Sequence, residues 1–148
     1  MFDSATAPIV NAGTIVSSTA GQTFTINPST FSNTGLLKVT AGTMTISSAT
    51  SWSSTGTMQV DAGTLNLGGT LTASTFNTIV RPAGGAGTTV NVTGTFDGLG
   101  TATLDVGSAG QFGNGGLSGM SGTLKNLTLV SGDGTSVPGG GGALDGVR

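Results

Sequence analysis

Along most of the chain, apolar residues alternate with Thr, Asn or Ser. The runs Thr23-Phe24-Thr25-Ile26, Thr43-Met44-Thr45-Ile46, Thr64-Leu65-Asn66-Leu67 and Thr89-Val90-Asn91-Val92 place bulky apolar side chains on one side and Thr or Asn on the other. Period two is the strand period, because successive side chains leave a strand on opposite faces. Leu37-Lys38-Val39, Met58-Gln59-Val60, Leu104-Asp105-Val106 and Leu127-Thr128-Leu129 repeat the pattern in a second set of segments. No stretch carries a 3.6-residue apolar period, and the abundant Gly and Thr are poor helix formers. The chain therefore reads as all-β.

The alternating segments recur. Phe31–Ile46 aligns with Trp52–Leu67 without a gap at an offset of 21 residues. An Ala-Gly or Ser-Gly step marks the whole chain, with Gly21, Gly42, Gly63, Gly87, Gly110 and Gly132 spaced 21, 21, 24, 23 and 22 residues apart. A row of aromatics, Phe31, Trp52, Phe76 and Phe96, keeps a similar spacing and predicts a stacked ladder inside the fold. Each repeat thus holds three short strands joined by Gly, Asn and Ser turns. One such unit cannot bury its own apolar face, whereas stacked units share a continuous core and continuous sheets. The expected fold is a right-handed, three-sided parallel β-helix, a β-solenoid of six to seven coils of 21–24 residues. The handedness follows from the right-handed preference of parallel crossovers. With a coil rise of about 4.8 Å, the rod should be only ~30 Å long. Glycine suits this plan: 28 Gly would weaken strand interiors, but at turns with positive φ they are favourable, so the six marker glycines are read as coil turns.

Residues 1–137 read as one solenoid domain, and the run from Pro138 through Gly142 opens a Gly-rich tail or linker covering 138–148. Two irregular spots interrupt the repeat. Gln111-Phe112-Gly113 replaces the Thr-x-Thr strand. Arg81 falls in register with the inward Val60, where an unpaired charge is costly, so a bulge beside Pro82 is expected to turn it outward.

Composition narrows the chemistry. Only 7% of the 148 residues are charged; there is no His, Cys or Tyr, and all six acidic residues are Asp. That removes a histidine base, a disulfide and any Cys/His metal site. A net charge of -2 from scattered residues lacks the clustered Lys and Arg that phosphate contacts need, so no nucleic-acid partner is expected. No apolar run reaches transmembrane length. Residues 1–10 carry neither a basic n-region nor an apolar h-region, so the chain is expected to be processed or a fragment.

Val39–Ile46, Val60–Leu67 and Asn11–Ile15 resemble the passenger-associated repeats of bacterial autotransporters and the related filamentous-haemagglutinin-like adhesins. The likeness covers residues 11–132. It implies an exported bacterial protein, extracellular or at the cell surface, with a parallel β-helical body and a host surface or polysaccharide as partner.

Candidate chemistry is sparse. Asp97 and Asp105 are the residues to test for a polysaccharide-cleaving carboxylate pair, but Asp61, Asp97 and Asp105 fall in different registers and several Asp precede Gly as turn signals. No cofactor is expected. Calcium on a surface Asp is the one metal the composition leaves open, because hard cations take scattered oxygens. The expected function is a non-enzymatic structural module, a surface-fibre subunit or passenger stem. It is expected to self-associate end to end, since a solenoid exposes unpaired strand edges and the stretch Ala5–Val16 offers one. The alternative is an ice- or polysaccharide-binding face built from Thr23, Thr25, Thr43, Thr45, Thr64, Asn66, Thr89 and Asn91.

Overall fold

The computed structural model describes residues 2–4, 7–48 and 50–148. The alternating segments form short strands: β1 (Phe2–Ser4), β2 (Ile9–Asn11), β3 (Thr14–Ser17), β4 (Thr23–Pro28), β5 (Thr30–Asn33) and β6 (Leu36–Val39). The next are β7 (Thr43–Ile46), β8 (Ser51–Ser54), β9 (Thr57–Val60), β10 (Gly63–Leu67), β11 (Thr70–Phe76) and β12 (Thr88–Val92). The last are β13 (Thr95–Asp97), β14 (Thr103–Asp105), β15 (Gly119–Met120), β16 (Thr123–Lys125), β17 (Thr128–Val130) and β18 (Ala143–Asp145). The only helical element among the described residues is a single 3-10 turn, Ala83–Gly85.

These strands stack as a β-solenoid of about six turns with three faces. The first face is β1-β4-β7-β10-β12-β15, and the second is β2-β5-β8-β11-β13-β16-β18. The third face is β3-β6-β9, resumed after a break by β14-β17. Neighbours pair in parallel, for example Thr43 with Thr64 and Leu65 with Val90. The chain visits the three faces in turn and returns one strand spacing further along.

The alternation becomes burial. In β7 and β9 every second residue is buried. Identical positions on successive coils then stack into apolar columns: Ile26, Ile46, Leu67, Val92 and Met120 on the first face, and Leu37 on Met58 on the third. Fully burying such a side chain stabilises by roughly 1.5–3 kcal/mol. A polar column runs inside as well. Asn11 Nδ2 donates to Asn33 Oδ1 at 2.7 Å, and Asn33 Nδ2 donates to Ser54 Oγ at 2.9 Å. Asn33 is fully buried, so each amide satisfies the next coil's polar group.

The aromatic row is a corrected expectation. Phe31 stacks on Trp52, with ring centroids 6.3 Å apart. The next residue in that column is Leu71, followed by Phe96, Leu124 and Leu144. Phe76 instead stands opposite Ser54, because β11 shifts register between Leu71 and Phe76. It ends the Asn-Ser column and makes an edge-to-face contact with Phe96 at 5.4 Å and a tilted one with Phe112 at 6.0 Å.

The marker glycines divide similarly. Gly21, Gly42, Gly63 and Gly87 have φ between 68° and 89°. Gly110 and Gly132 lie outside the left-handed region, and neither opens a first-face strand. After Gly110 that strand begins only at Gly119, opposite Asn91. A second glycine column, Gly13, Gly35 and Gly56, lies at the corner between the second and third faces. A methyl group at Gly35 or Gly56 would run into the carbonyl oxygen of the preceding coil's glycine. Close backbone approach, not positive φ, makes glycine necessary there.

Residues 138–148 do not form a tail. β18 pairs with β16, placing Leu144 beneath Leu124, and Leu129 N–H donates to the Arg148 carbonyl at 2.9 Å. Of the stretch Ala5–Val16, residues 5 and 6 lie outside the described part; the remainder supplies β2 and β3, the outermost strands of their faces.

Candidate functional site

The first face carries the candidate binding array. Its outward columns are Thr23, Thr43, Thr64 and Thr89, and beside them Thr25, Thr45, Asn66 and Asn91. The structure therefore brings all eight residues together on one side of four coils. The second column is hydrogen-bonded to itself: Asn91 Nδ2 donates to Asn66 Oδ1 at 2.9 Å, and Asn66 Nδ2 donates to Thr45 Oγ1 at 3.2 Å. Gly119 follows Asn91 and ends it. This surface holds hydroxyls and amides without a titratable group. Its chemistry is neutral hydrogen bonding, not proton transfer.

A shallow groove of about 330 Å³ on the second face is lined by Thr30, Ser32, Ser51, Ser53 and Thr72, with Val10 at its rim. Phe31 and Trp52 lie beneath it but point inward and are buried, and Trp52 Nε1 is engaged by the Gly68 carbonyl at 2.8 Å. The aromatic row therefore offers no exposed stacking platform.

The polar chemistry concentrates where the repeat lengthens. The first-face offset is 21 residues between Thr43 and Thr64, 25 between Thr64 and Thr89, and 28 between Asn91 and Gly119. The extra residues form loops between the third and first faces. Arg81 belongs to this region, and the outward bulge expected for it is not found. The bridge between Gln59 and Val80 keeps the register, so Arg81 follows Val60 and points inward, only 7% exposed. Its guanidinium donates from Nε to Thr88 Oγ1 at 2.9 Å and from Nη2 to the Thr88 carbonyl at 3.0 Å. Nη1 donates to the carbonyls of Phe112 at 3.2 Å and Gly116 at 2.6 Å. The charge is accommodated by neutral acceptors, and burial lowers its pKa. The fork spans the two loops and ties one coil to the next.

Gln111 fills the break in the third face. Asp105 N–H donates to Gln111 Oε1 at 3.0 Å, and Gln111 Nε2 donates to the Thr103 carbonyl at 3.2 Å. Those are the two groups that a parallel neighbour of Leu104 would engage. The side-chain amide thus substitutes for a missing strand at the edge of β14.

Asp97 and Asp105 are not brought together, since they lie on different faces. Asp97 Oδ1 accepts from Leu99 N–H at 2.9 Å and shapes its turn. Asp105 instead meets Asp133, a neighbour the repeat pattern did not suggest. A methyl group on Gly107 would contact both carboxylates. Asp133 binds the Ser108 hydroxyl at 2.7 Å, the Ser108 N–H at 2.8 Å and the Thr135 N–H at 2.9 Å. Those bonds, Ser108 first, hold its carboxyl well below the usual range. Lys38 pairs with Asp61 at 2.9 Å on the third face, and the Gln59 amide and then Lys38 lower the Asp61 pKa. Among the described residues no three Asp side chains converge as a cation cage. Comparison with protein-family models, with curated proteins and with solved structures finds no match.

Proposed function

We propose that this chain is a non-enzymatic structural module, an extracellular or cell-surface fibre subunit or a passenger-type stem segment, that associates end to end with further copies. The observation that carries the reading is that, among the described residues, the second face begins and ends on strands with one unpaired edge, in one register. On the second face, β2 and β18 are the two outermost strands. The inward column that starts at Ile9 ends at Leu144, which is 54% exposed. A second copy placed in line would continue that column and pair the free strand edges, which otherwise invite pairing with any strand. The polar faces need only to stay hydrated.

Electron microscopy and sedimentation of the purified chain across a concentration series test this. Filaments that lengthen with concentration, and that shorten when Leu144→Asp is introduced, are expected. Discrete rods at every concentration would overturn it.

The second reading is a ligand-binding solenoid that uses the Thr and Asn columns of the first face on ice or a neutral polysaccharide. The in-register stacking of Thr23, Thr43, Thr64 and Thr89 favours it.

A further inference from the structure

We propose that Asn114-Gly115 is a self-modification site, where the chain deamidates without an enzyme and so supplies a carboxylate beside the buried Arg81.

The asparagines differ in the backbone neighbour that could react with them. Deamidation needs the next residue's amide nitrogen to reach the side-chain carbonyl carbon. Asn27 precedes Pro28, which has no N–H. Asn11 and Asn33 are buried in the internal polar column. Asn66, Asn91 and Asn126 are followed by Leu67, Val92 and Leu127, whose side chains are packed in the core. Asn77 precedes the β-branched Thr78. Asn114 alone precedes a glycine. Both residues are exposed, and Gly115 sits at φ 88° in a loop outside the strands.

The step balances without a redox partner. The Gly115 nitrogen gives up its proton to water and attacks Asn114 Cγ. A C–N bond forms, the Cγ–Nδ2 bond breaks, and the nitrogen leaves as ammonia after taking a proton from solvent. Water then adds to either carbonyl of the five-membered ring and opens it, leaving aspartate or an isoaspartyl linkage. One water enters and one ammonia departs.

The surroundings give the product a role. Asn114 Nδ2 donates to the Arg81 carbonyl at 3.0 Å; a carboxylate has no proton to give there, so the product loses that bond and turns toward the guanidinium instead. A Cβ built on Gly115 would lie 3.1 Å from Arg81 Nη2. Arg81 has only hydroxyl and carbonyl acceptors. A carboxylate at 114, ionised at neutral pH, would give that cation a counter-charge it lacks, at the joint between two coils.

The test is to age the full chain at mildly alkaline pH and locate the amide-to-acid mass change by peptide mapping. An isoaspartyl methyltransferase serves as the probe for the isomer. Conversion confined to the peptide containing Asn114, at a rate within about tenfold of the same chain in urea, is expected. Asn114→Gln should block it. Retention of the Asn114 amide in the native chain while the urea-unfolded chain converts would overturn the proposal, as would conversion elsewhere. For the product, Asn114→Asp should unfold at or above the wild-type temperature at neutral pH and lose that advantage below about pH 4. A midpoint below wild type at neutral pH would refute the counter-charge role.

Discussion

Replacing Arg81 by Met tests whether a charge buried among carbonyls holds the irregular coils together. The guanidinium makes four hydrogen bonds to Thr88, Phe112 and Gly116. Methionine fills similar volume but donates to none of them. Each buried carbonyl left without a donor costs about 1–3 kcal/mol. Against this, removing an ion from the interior recovers a desolvation penalty of several kcal/mol. The balance is a net loss of about 2–4 kcal/mol, on the order of 10 °C in the unfolding midpoint of a chain this size. Arg81→Lys separates fork from charge. It keeps the buried ion, but a single ammonium cannot reach from the Thr88 carbonyl to that of Gly116, so its loss should equal or exceed that of Met. Urea unfolding measures the magnitude. Hydrogen exchange gives the location: amides in 79–92 and 111–118 should be released while those in 36–67 keep their protection, because a solenoid opens at its weakest interface. A lysine variant within about 0.5 kcal/mol of wild type would refute the fork argument. A more stable Met variant would show that desolvation outweighs the bonds.

Asn33→Leu should cost about 2–4 kcal/mol in urea unfolding, because it strands the Asn11 and Ser54 polar groups inside the solenoid. Gly56→Ala, whose methyl meets the Gly35 carbonyl oxygen, should lose about 1–3 kcal/mol by the same assay, as overpacking does. Asp133 has a lowered folded pKa, so its contribution is present above the unfolded value and fades as pH falls through the folded one. The urea midpoint should therefore be flat near neutrality and decline below about pH 4, and Asp133→Asn should reduce that decline. If the first face binds ice, the double variant Thr45→Tyr and Thr64→Tyr should abolish crystal shaping while circular dichroism stays unchanged; unaltered shaping would exclude that face.

What could be read without coordinates is what recurs. Thr43–Ile46 and Thr64–Leu67 pair residue for residue, because a one-residue slip would turn every apolar side chain outward. The Thr and Asn columns were legible for the same reason. Two of the failures share a cause: spacing counts residues, whereas stacking counts strands. Phe76 keeps the aromatic spacing but follows a register shift inside β11, so Leu71 occupies its place beside Trp52. Gly110 keeps the glycine spacing, but inserted residues carry the chain past it, and the strand resumes at Gly119. The misplacement of Arg81 is the more instructive one. Its register was right, and the cost of burying an unpaired charge argued for turning it out. A buried cation does not need an anion, however: lengthened loops can point their carbonyls inward and serve instead. Gln111 shows the same principle at the sheet edge, with a side-chain amide standing in for a backbone one. Both devices belong to coils whose loops have escaped the repeat. In a solenoid the regular coils supply rods and faces; the residues whose neighbours must be seen to be known collect where the period breaks.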